Sequence, residues 1–243
     1  MRESGGVCGL CRAFAAGLQG ALAAKLVGVY VYGAVTFPET TDTGDVDFHA
    51  ILATAPTEEE RLAVLALHGR LAADFPPLGA ELDGYYILVE AARGSEPPRH
   101  LLFPHLTDNS WALHRAHILA GRVWVLLGPS PESIYVAPTW SELATALDGE
   151  LDYVTRHLTQ YPAYCVLNLC RLLYSWETRD VVTSKAAAAA WGREHFPEWA
   201  SLIDCALAAY ARRATGAEDE ALVSGLARFY PFATDAIGGR RRT

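Results

Sequence analysis

Two aspartates separated by one residue, Asp45 and Asp47, are the pair of side chains in this sequence best suited to do chemistry. Residues two apart on a β-strand face the same side, so the two carboxylates converge while Val46 packs inward. Carboxylates held together repel each other, and a divalent cation relieves that cost. Mg²⁺ fits, because it takes one or two carboxylates and completes its shell with water and phosphate oxygens. The alternative is an edge strand with two solvated aspartates.

Two further features flank the aspartate pair. Gly33 lies near the end of an apolar segment, residues 27–35 (VGVYVYGAV), and a glycine there lets the backbone approach a phosphate closely. Asp83 offers a third carboxylate near the start of another strand, with Glu81 two residues earlier on the same face. Because Asp83 precedes Gly84, the alternative for it is a turn residue.

The elements around these residues predict an α/β layer in the first half of the chain. Apolar side chains at helical spacing predict a helix over 10–26, and Thr57 is the expected N-cap of a second helix. Alternating or β-branched segments predict strands. The predicted strands are 27–35, 45–52 and 82–91, and the predicted helices are 10–26, 56–74 and 109–120.

The second half of the chain is predicted to be helical. Apolar periodicity predicts helices over 140–158, 163–177, 184–195, 199–214 and 218–229, with a disordered tail over 238–243. We therefore expect two domains, an α/β domain with a mixed sheet over 1–138 and a helical bundle over 139–243. Each domain looks self-sufficient, which favours a monomer.

Composition excludes several function classes. The 243 residues carry 28 acidic and 20 basic side chains, a formal charge of −8, which opposes binding to nucleic acids and anionic membranes. Such a surface would attract cationic small molecules, although many soluble proteins are acidic for no such reason. The apolar stretch 14–35 contains Gln19 and Lys25, so we expect neither a leader nor a spanning helix. Five cysteines, an odd number, favour reduced thiols and a cytoplasmic location.

Two basic residues of the helical half are candidates for binding anions. Lys185 is one of only two lysines, and it begins an alanine-rich helix that Ser184 can cap. Arg171 lies on an otherwise apolar helix, where it needs an anionic partner, either a phosphate or an internal carboxylate.

These segments resemble a known family. Residues 32–34 (YGA) and 45–48 (DVDF) resemble the nucleotidyltransferase signature. Residues 165–174 (CVLNLCRLLY) and 182–191 (VTSKAAAAAW) resemble the helical domain of the aminoglycoside adenylyltransferases, which modify streptomycin and spectinomycin. The resemblance implies a resistance enzyme that holds ATP and Mg²⁺ between its domains and transfers AMP to a hydroxyl of a cationic antibiotic.

The resemblance also implies a role for each matching residue. Asp45 and Asp47 would hold the metal, and Asp83 would be the general base. Gly33, Ala34, Arg171 and Lys185 would contact the nucleotide. We expect the acceptor to meet Glu81, whose carboxylate would attract its ammonium groups, and Tyr161 and Tyr164, which occupy positions that read the aminoglycoside in the family.

Three departures from the family pattern keep rival functions open. Ala34 replaces a serine whose hydroxyl helps hold the phosphates, and nearby Thr36 is a possible substitute. Asp83 replaces a glutamate, and tyrosines 161 and 164 replace acidic residues that read the aminoglycoside. Those tyrosines either stack on sugar rings or pack at the helix end. The rivals are a nucleotide-binding regulator that has lost turnover and an adenylyltransferase with another small-molecule or protein acceptor.

The remaining metal-ligand residue types give no predicted site. Cys8 and Cys11 form a lone C-x-x-C pair, for which incidental thiols are the expectation. Four histidines cluster loosely, but no carboxylate or cysteine in the sequence pattern completes a ligand set for them. They are His100, His105, His114 and His117. His49 either lines the site, on the face of Asp47, or caps the polar side of its strand.

Overall fold

The computed structural model describes residues 5–39, 44–211 and 216–241. The chain divides into two compact units, Met1–Glu142 and Leu143–Thr243. In the first unit the strands are β1 (Leu26–Tyr32), β2 (Val46–Leu52), β3 (Leu82–Leu88) and β4 (Trp124–Leu127). Its helices are α1 (Gly5–Leu22), α2 (Glu58–Asp74), α3 (Val89–Ala92) and α4 (Trp111–Leu119).

The sheet is mixed, in the order β3-β2-β1-β4. Strand β1 pairs antiparallel with both β2 and β4, whereas β2 and β3 run parallel. A continuous β-branched and aromatic segment suits a strand buried on both faces, and Val29 to Val31 are fully buried as that pattern predicts. The structure adds β4, a four-residue strand that the sequence analysis missed.

Alternation along the strands sends neighbouring residues to two separate cores. Val29, Val31 and Phe48 pack against α1 and α2 on one face of the sheet. Tyr30, Tyr32 and Ile51 pack on the other face, in a cluster with Trp111, Ile118, Ile134 and Tyr135. The Thr57 capping box at the start of α2 confirms the predicted N-cap.

Helix α1 supplies much of the first core. Over Gly6–Lys25 it is, among the described residues, the one helix whose length and composition would allow it to cross a membrane. Its residues Leu10, Phe14 and Leu18 have no exposed surface and lie in the core beneath the sheet. Length and composition do not distinguish a core helix from a membrane helix, since both are apolar.

The second unit is helical throughout its described residues. Its helices are α5 (Trp140–His157), whose first turn belongs to the first unit, α6 (Pro162–Thr178), α7 (Lys185–His195), α8 (Ala200–Tyr210) and α9 (Gly216–Arg240). Helix α6 is the core, with buried residues on nearly every side. Ser184 caps α7 by accepting a hydrogen bond from the Ala187 amide at 3.0 Å, as predicted.

The C-terminal segment differs from the prediction. Instead of ending at Phe229, helix α9 continues through Pro231 to Arg240. The physical reason is that Phe229, Ala233 and Ile237, spaced by four residues, are all buried on one face. The predicted disorder over 238–243 is therefore wrong as far as Arg241, which forms an ion pair with Asp148. Residues 242–243 lie outside the described residues.

Candidate active site

Sheet register places a tyrosine and two aspartates in one row across three strands. Tyr32 of β1 is opposite Asp47 of β2, and Asp47 is opposite Asp83 of β3. Residues directly opposite each other in a sheet project from the same face. Asp83 and Gly84 both lie inside β3, which excludes the turn alternative for Asp83. We call Tyr32, Asp47 and Asp83 the carboxylate row.

Gly33 is in van der Waals contact with the central carboxylate of the row. It adopts a φ of +72° in the turn after β1, a conformation that other residues rarely take. A Cβ atom built on Gly33 would lie 1.8 Å from Asp47 Oδ2. The position therefore needs glycine twice, for its backbone angle and for the space that the Asp47 carboxylate occupies.

The charges of Asp45 and Asp83 repel each other. Partial desolvation and then the charge of Asp45 raise the pKa of Asp83, against a smaller opposing effect of His114. Neither aspartate forms an ion pair with any cation of the described residues. Carboxylates whose charges repel each other suit a hard divalent cation.

Three other predicted residues lie around the row. Ala34 lies in the 3₁₀ turn Gly33–Thr36, and the Thr36 hydroxyl donates to Gly33 O at 2.8 Å within that turn. Thr36 therefore already uses its proton locally instead of offering it as the missing serine would. Glu81 is exposed and follows the 3₁₀ turn Leu78–Ala80, which precedes β3, with φ −101° and ψ 16°. Strand alternation therefore does not reach Glu81, and the expected shared face with Asp83 does not follow from it.

A buried histidine network lies next to the carboxylate row. Asp108 Oδ2 accepts from His114 Nδ1 at 2.9 Å and from His49 Nε2 at 3.3 Å. The Tyr32 hydroxyl is 3.1 Å from His114 Nδ1, and the Tyr135 hydroxyl is 3.3 Å from His49 Nδ1. This corrects the sequence analysis, because a carboxylate does complete a set with His114. His49 is fully buried and does not cap a solvated strand face.

Electrostatics in this network follow from burial and from the shared carboxylate. Desolvation lowers the pKa of His49, although its bond to Asp108 works in the opposite direction. Burial alone would raise the pKa of Asp108, but the charge and hydrogen bond of His114, helped by His49, hold it well below its usual value. Asp108 is therefore an anion inside the protein. The sequence signal for it was weak, since Thr107 to Ser110 reads as an ordinary helix start.

In the second unit, Lys185 is surrounded by aromatic rings. Its Nζ donates to the Tyr210 hydroxyl at 2.7 Å and lies 5.1 Å from the Tyr164 ring centroid. Within the described residues no carboxylate pairs with it. The Lys185 ammonium group thus contacts aromatic ring faces and a hydroxyl, none of which carries a negative charge. Its positive charge can therefore still attract an anion.

Arg171 reaches the same residues through Asn168. Its Nη1 donates to Asn168 Oδ1 at 3.4 Å, and Asn168 Nδ2 is 3.3 Å from the Tyr164 hydroxyl. The buried Nε of Arg171 has no hydrogen-bond partner among the described residues. An internal carboxylate, the alternative partner for this arginine, is not paired with it in that part of the chain.

Tyr161 and Tyr164 are linked by stacked rings. The Tyr161 ring stacks on His157 at 5.8 Å between centroids, and His157 stacks on Tyr153 at 4.0 Å. Tyr153 then meets Tyr164 edge to face at 5.8 Å. Tyr161 is 45% exposed, whereas Tyr164 is half-buried beside Lys185. The helical unit thus brings four predicted residues, Tyr161, Tyr164, Arg171 and Lys185, into one connected group.

Comparison with known proteins agrees with this architecture. The family model described as aminoglycoside adenylyltransferase, C-terminal domain, matches residues 137–231. A solved structure of spectinomycin adenyltransferase AAD(9) from Enterococcus faecialis, with ATP and spectinomycin, matches with a TM-score of 0.75. That match covers 95% of this chain and 98% of the other at 12% identity. No curated protein matches the sequence.

Each comparison carries a different conclusion. At 12% identity the structural match shows the fold, and it confirms the predicted α/β region with a mixed sheet followed by a helical region. The family match confirms the predicted family and, with it, the nucleotidyltransferase class of enzyme. Over residues 137–231, the chain is similar to the C-terminal domain of the aminoglycoside adenylyltransferases.

Proposed function

We propose that this protein transfers AMP from ATP to a hydroxyl of a cationic, aminoglycoside-like small molecule in a Mg²⁺-dependent reaction that confers resistance. The observation that carries the proposal is the carboxylate row at the Gly33 turn, in which Asp47 is opposite Asp83 and Asp45 raises the pKa of Asp83. The family match of the helical unit supports the class of acceptor. The five free cysteines fit a reducing, cytoplasmic setting.

Asp45 and Asp47 are the residues that would hold Mg²⁺. Their oxygen ligands have the right chemistry, and the tight fit of Asp47 against Gly33 fixes one of them before any ligand arrives. When bound, Mg²⁺ supplies charge stabilisation to the phosphates of ATP. The carboxylates contribute pre-organisation, because β2 and the Gly33 turn hold them in place.

Asp83 is the proposed general base. It accepts the proton of the acceptor hydroxyl, whose oxygen forms a bond to the α-phosphorus of ATP. The bond from that phosphorus to the β-phosphate bridging oxygen breaks, and pyrophosphate leaves. A raised pKa makes the Asp83 carboxylate a better proton acceptor, provided that it stays ionised.

The helical unit would bind both charged substrates, the phosphates of ATP and the cationic acceptor. Lys185 and Arg171 would offset the negative charge on the departing pyrophosphate. The exposed ring of Tyr161 offers an apolar face for a sugar ring, and Glu150, which accepts from Asn168 at 3.0 Å, places a carboxylate beside Tyr164 for an ammonium group.

A pyrophosphate-release assay tests the proposed function. The full chain is incubated with Mg²⁺, ATP and a panel of aminoglycosides that includes streptomycin and spectinomycin. We expect release that depends on the acceptor, together with an AMP-acceptor adduct visible by mass spectrometry. ATP binding without release across the panel would favour the regulator, and label transferred to protein would favour a protein acceptor.

Asp83→Asn should lower kcat about 100-fold, at the lower end of the range for loss of a general base. The Kd for ATP, measured by titration calorimetry, should stay nearly unchanged because the variant keeps the shape of the side chain. Asp83→Glu, which restores the residue of the family, is the matched variant and should retain most of kcat. An equal loss of kcat and ATP affinity in Asp83→Asn would instead place Asp83 among the metal ligands.

Lys185→Gln should lower kcat/KM for ATP about 10- to 100-fold, as expected for a lost hydrogen bond between charged groups. The other lysine provides the matched control, since Lys25 bonds to Glu60 at 2.6 Å in the first unit. Lys25→Gln should leave kcat/KM unchanged. Equal effects of the two substitutions on steady-state kinetics would show that Lys185 acts through overall charge and not through phosphate contact.

A further inference from the structure

Three potential metal ligands from separate parts of the first unit meet inside the protein. His49 comes from β2, Asp108 from the segment before α4, and His114 from α4 itself. One ligand atom from each lies within 4.8 Å of the other two. His49 and Asp108 are buried, and the His114 side chain keeps 25% of its surface exposed, which leaves a path from solvent. The proposed AMP transfer uses none of the three.

Two of the three distances between the ligand atoms are close to those of a tetrahedral metal site. Ligand atoms about 2.0–2.1 Å from a tetrahedral ion lie about 3.3 Å from one another. Here the Asp108 Oδ2 to His49 Nε2 distance is 3.3 Å, and the Asp108 Oδ2 to His114 Nδ1 distance is 2.9 Å. Small side-chain rotations would therefore suffice to seat an ion.

The surroundings of the group also resemble those of metal-binding histidines. A metal-ligating imidazole usually has its second nitrogen held by a hydrogen bond, and the Tyr135 hydroxyl is 3.3 Å from His49 Nδ1. The Tyr32 hydroxyl, 3.1 Å from His114 Nδ1, lies beside the group and is the candidate for a fourth ligand. Two imidazoles, one carboxylate and one open position are the donor set of many Zn²⁺ sites.

We propose that His49, Asp108 and His114 bind one Zn²⁺ ion, through His49 Nε2, Asp108 Oδ2 and His114 Nδ1. This second metal site is separate from the carboxylates Asp45 and Asp47, whose oxygen-only ligands suit Mg²⁺ better than zinc. Zinc here ties β2 to α4 directly beneath Tyr32, which belongs to the carboxylate row. Its expected contribution is to the stability of the first unit and to the position of that row.

Cobalt substitution tests the site without relying on activity. The full chain, stripped of metal with a chelator, is titrated with Co²⁺ and then with Zn²⁺. We expect one equivalent of Co²⁺ to give the visible ligand-field bands of a four-coordinate ion, and Zn²⁺ to displace it and raise Tm. Elemental analysis of the desalted protein should give one zinc per chain. Absence of the bands and of bound zinc would overturn the proposal.

Substitutions identify the ligands. His114→Gln, at the accessible edge of the group, should abolish the cobalt spectrum while circular dichroism shows a folded protein. Asp108→Asn should do the same and is the second variant if the first fails to fold. His117→Gln, a buried histidine on the same helix that packs on Phe37 instead, should keep one equivalent.

One more variant separates the two metal sites. Asp47→Asn should keep the cobalt spectrum while losing AMP transfer, so a failure of the proposed function would not be mistaken for a failure of the zinc site. Loss of the cobalt spectrum in Asp47→Asn, or its persistence in both His114→Gln and Asp108→Asn, would place the ion elsewhere and overturn the assignment. In that case the three residues form a hydrogen-bonded network only.

Discussion

Asp47→Asn is expected to lower kcat for AMP transfer at least about 1,000-fold while the protein stays folded. The substitution removes the central charge of the carboxylate row but keeps the shape of the side chain against Gly33. A bound metal contributes several kcal/mol of charge stabilisation in the transition state, and each 1.36 kcal/mol is a factor of ten in rate. Acceptor-dependent pyrophosphate release at saturating Mg²⁺ and ATP measures the effect.

The control for this prediction is an aspartate of the same unit that lies away from the row. Asp74→Asn changes the net charge equally at the exposed end of α2 and should leave kcat unchanged. A second measurement, the Mg²⁺ concentration that gives half-maximal rate, should rise in Asp47→Asn and not in Asp74→Asn. If Asp47→Asn retained a kcat within about tenfold of the original, Asp47 would not be a ligand of the catalytic Mg²⁺.

Strand periodicity accounts for how much of this site could be predicted from sequence. Asp47 and Phe48 fall on opposite faces of β2 because alternation has period two, and no knowledge of the fold is needed. The pairing of Asp47 with Asp83 is a different matter. It depends on β2 and β3 being parallel and in a particular register, and neither property is written in the residues of one strand alone.

The histidine network shows why the rest was beyond sequence reasoning. Asp108 is 59 residues from His49, and only the packing of α4 against β2 brings them to 3.3 Å. The alternating pattern of β2 predicts that His49 lies on a polar face of the strand. In the structure, Trp111 and Tyr135 cover that face. For Glu81, strand alternation does not apply for a local reason, since a 3₁₀ turn interrupts the strand pattern just before Leu82.

Gly33→Ala is expected to lower kcat for AMP transfer about 1,000-fold and to destabilise the first unit. Two costs combine at this position. An alanine at a φ of +72° costs about 1–2 kcal/mol of backbone strain. Its Cβ would also meet the Asp47 carboxylate at 1.8 Å, so either Asp47 or the turn must move. Displacement of the central carboxylate then reproduces the loss of Asp47→Asn.

A second glycine separates these two costs. Gly121, exposed after α4, has a φ of +82°, and a Cβ built there meets nothing within 4 Å. Gly121→Ala should therefore lower the free energy of unfolding by a similar 1–2 kcal/mol, measured by urea denaturation, with kcat unchanged. If Gly33→Ala behaves like Gly121→Ala, with a loss of stability but full turnover, then contact with Gly33 does not hold Asp47 in its working position. A loss of kcat far beyond the loss of stability would mean that the glycine is needed for the position of the carboxylate itself.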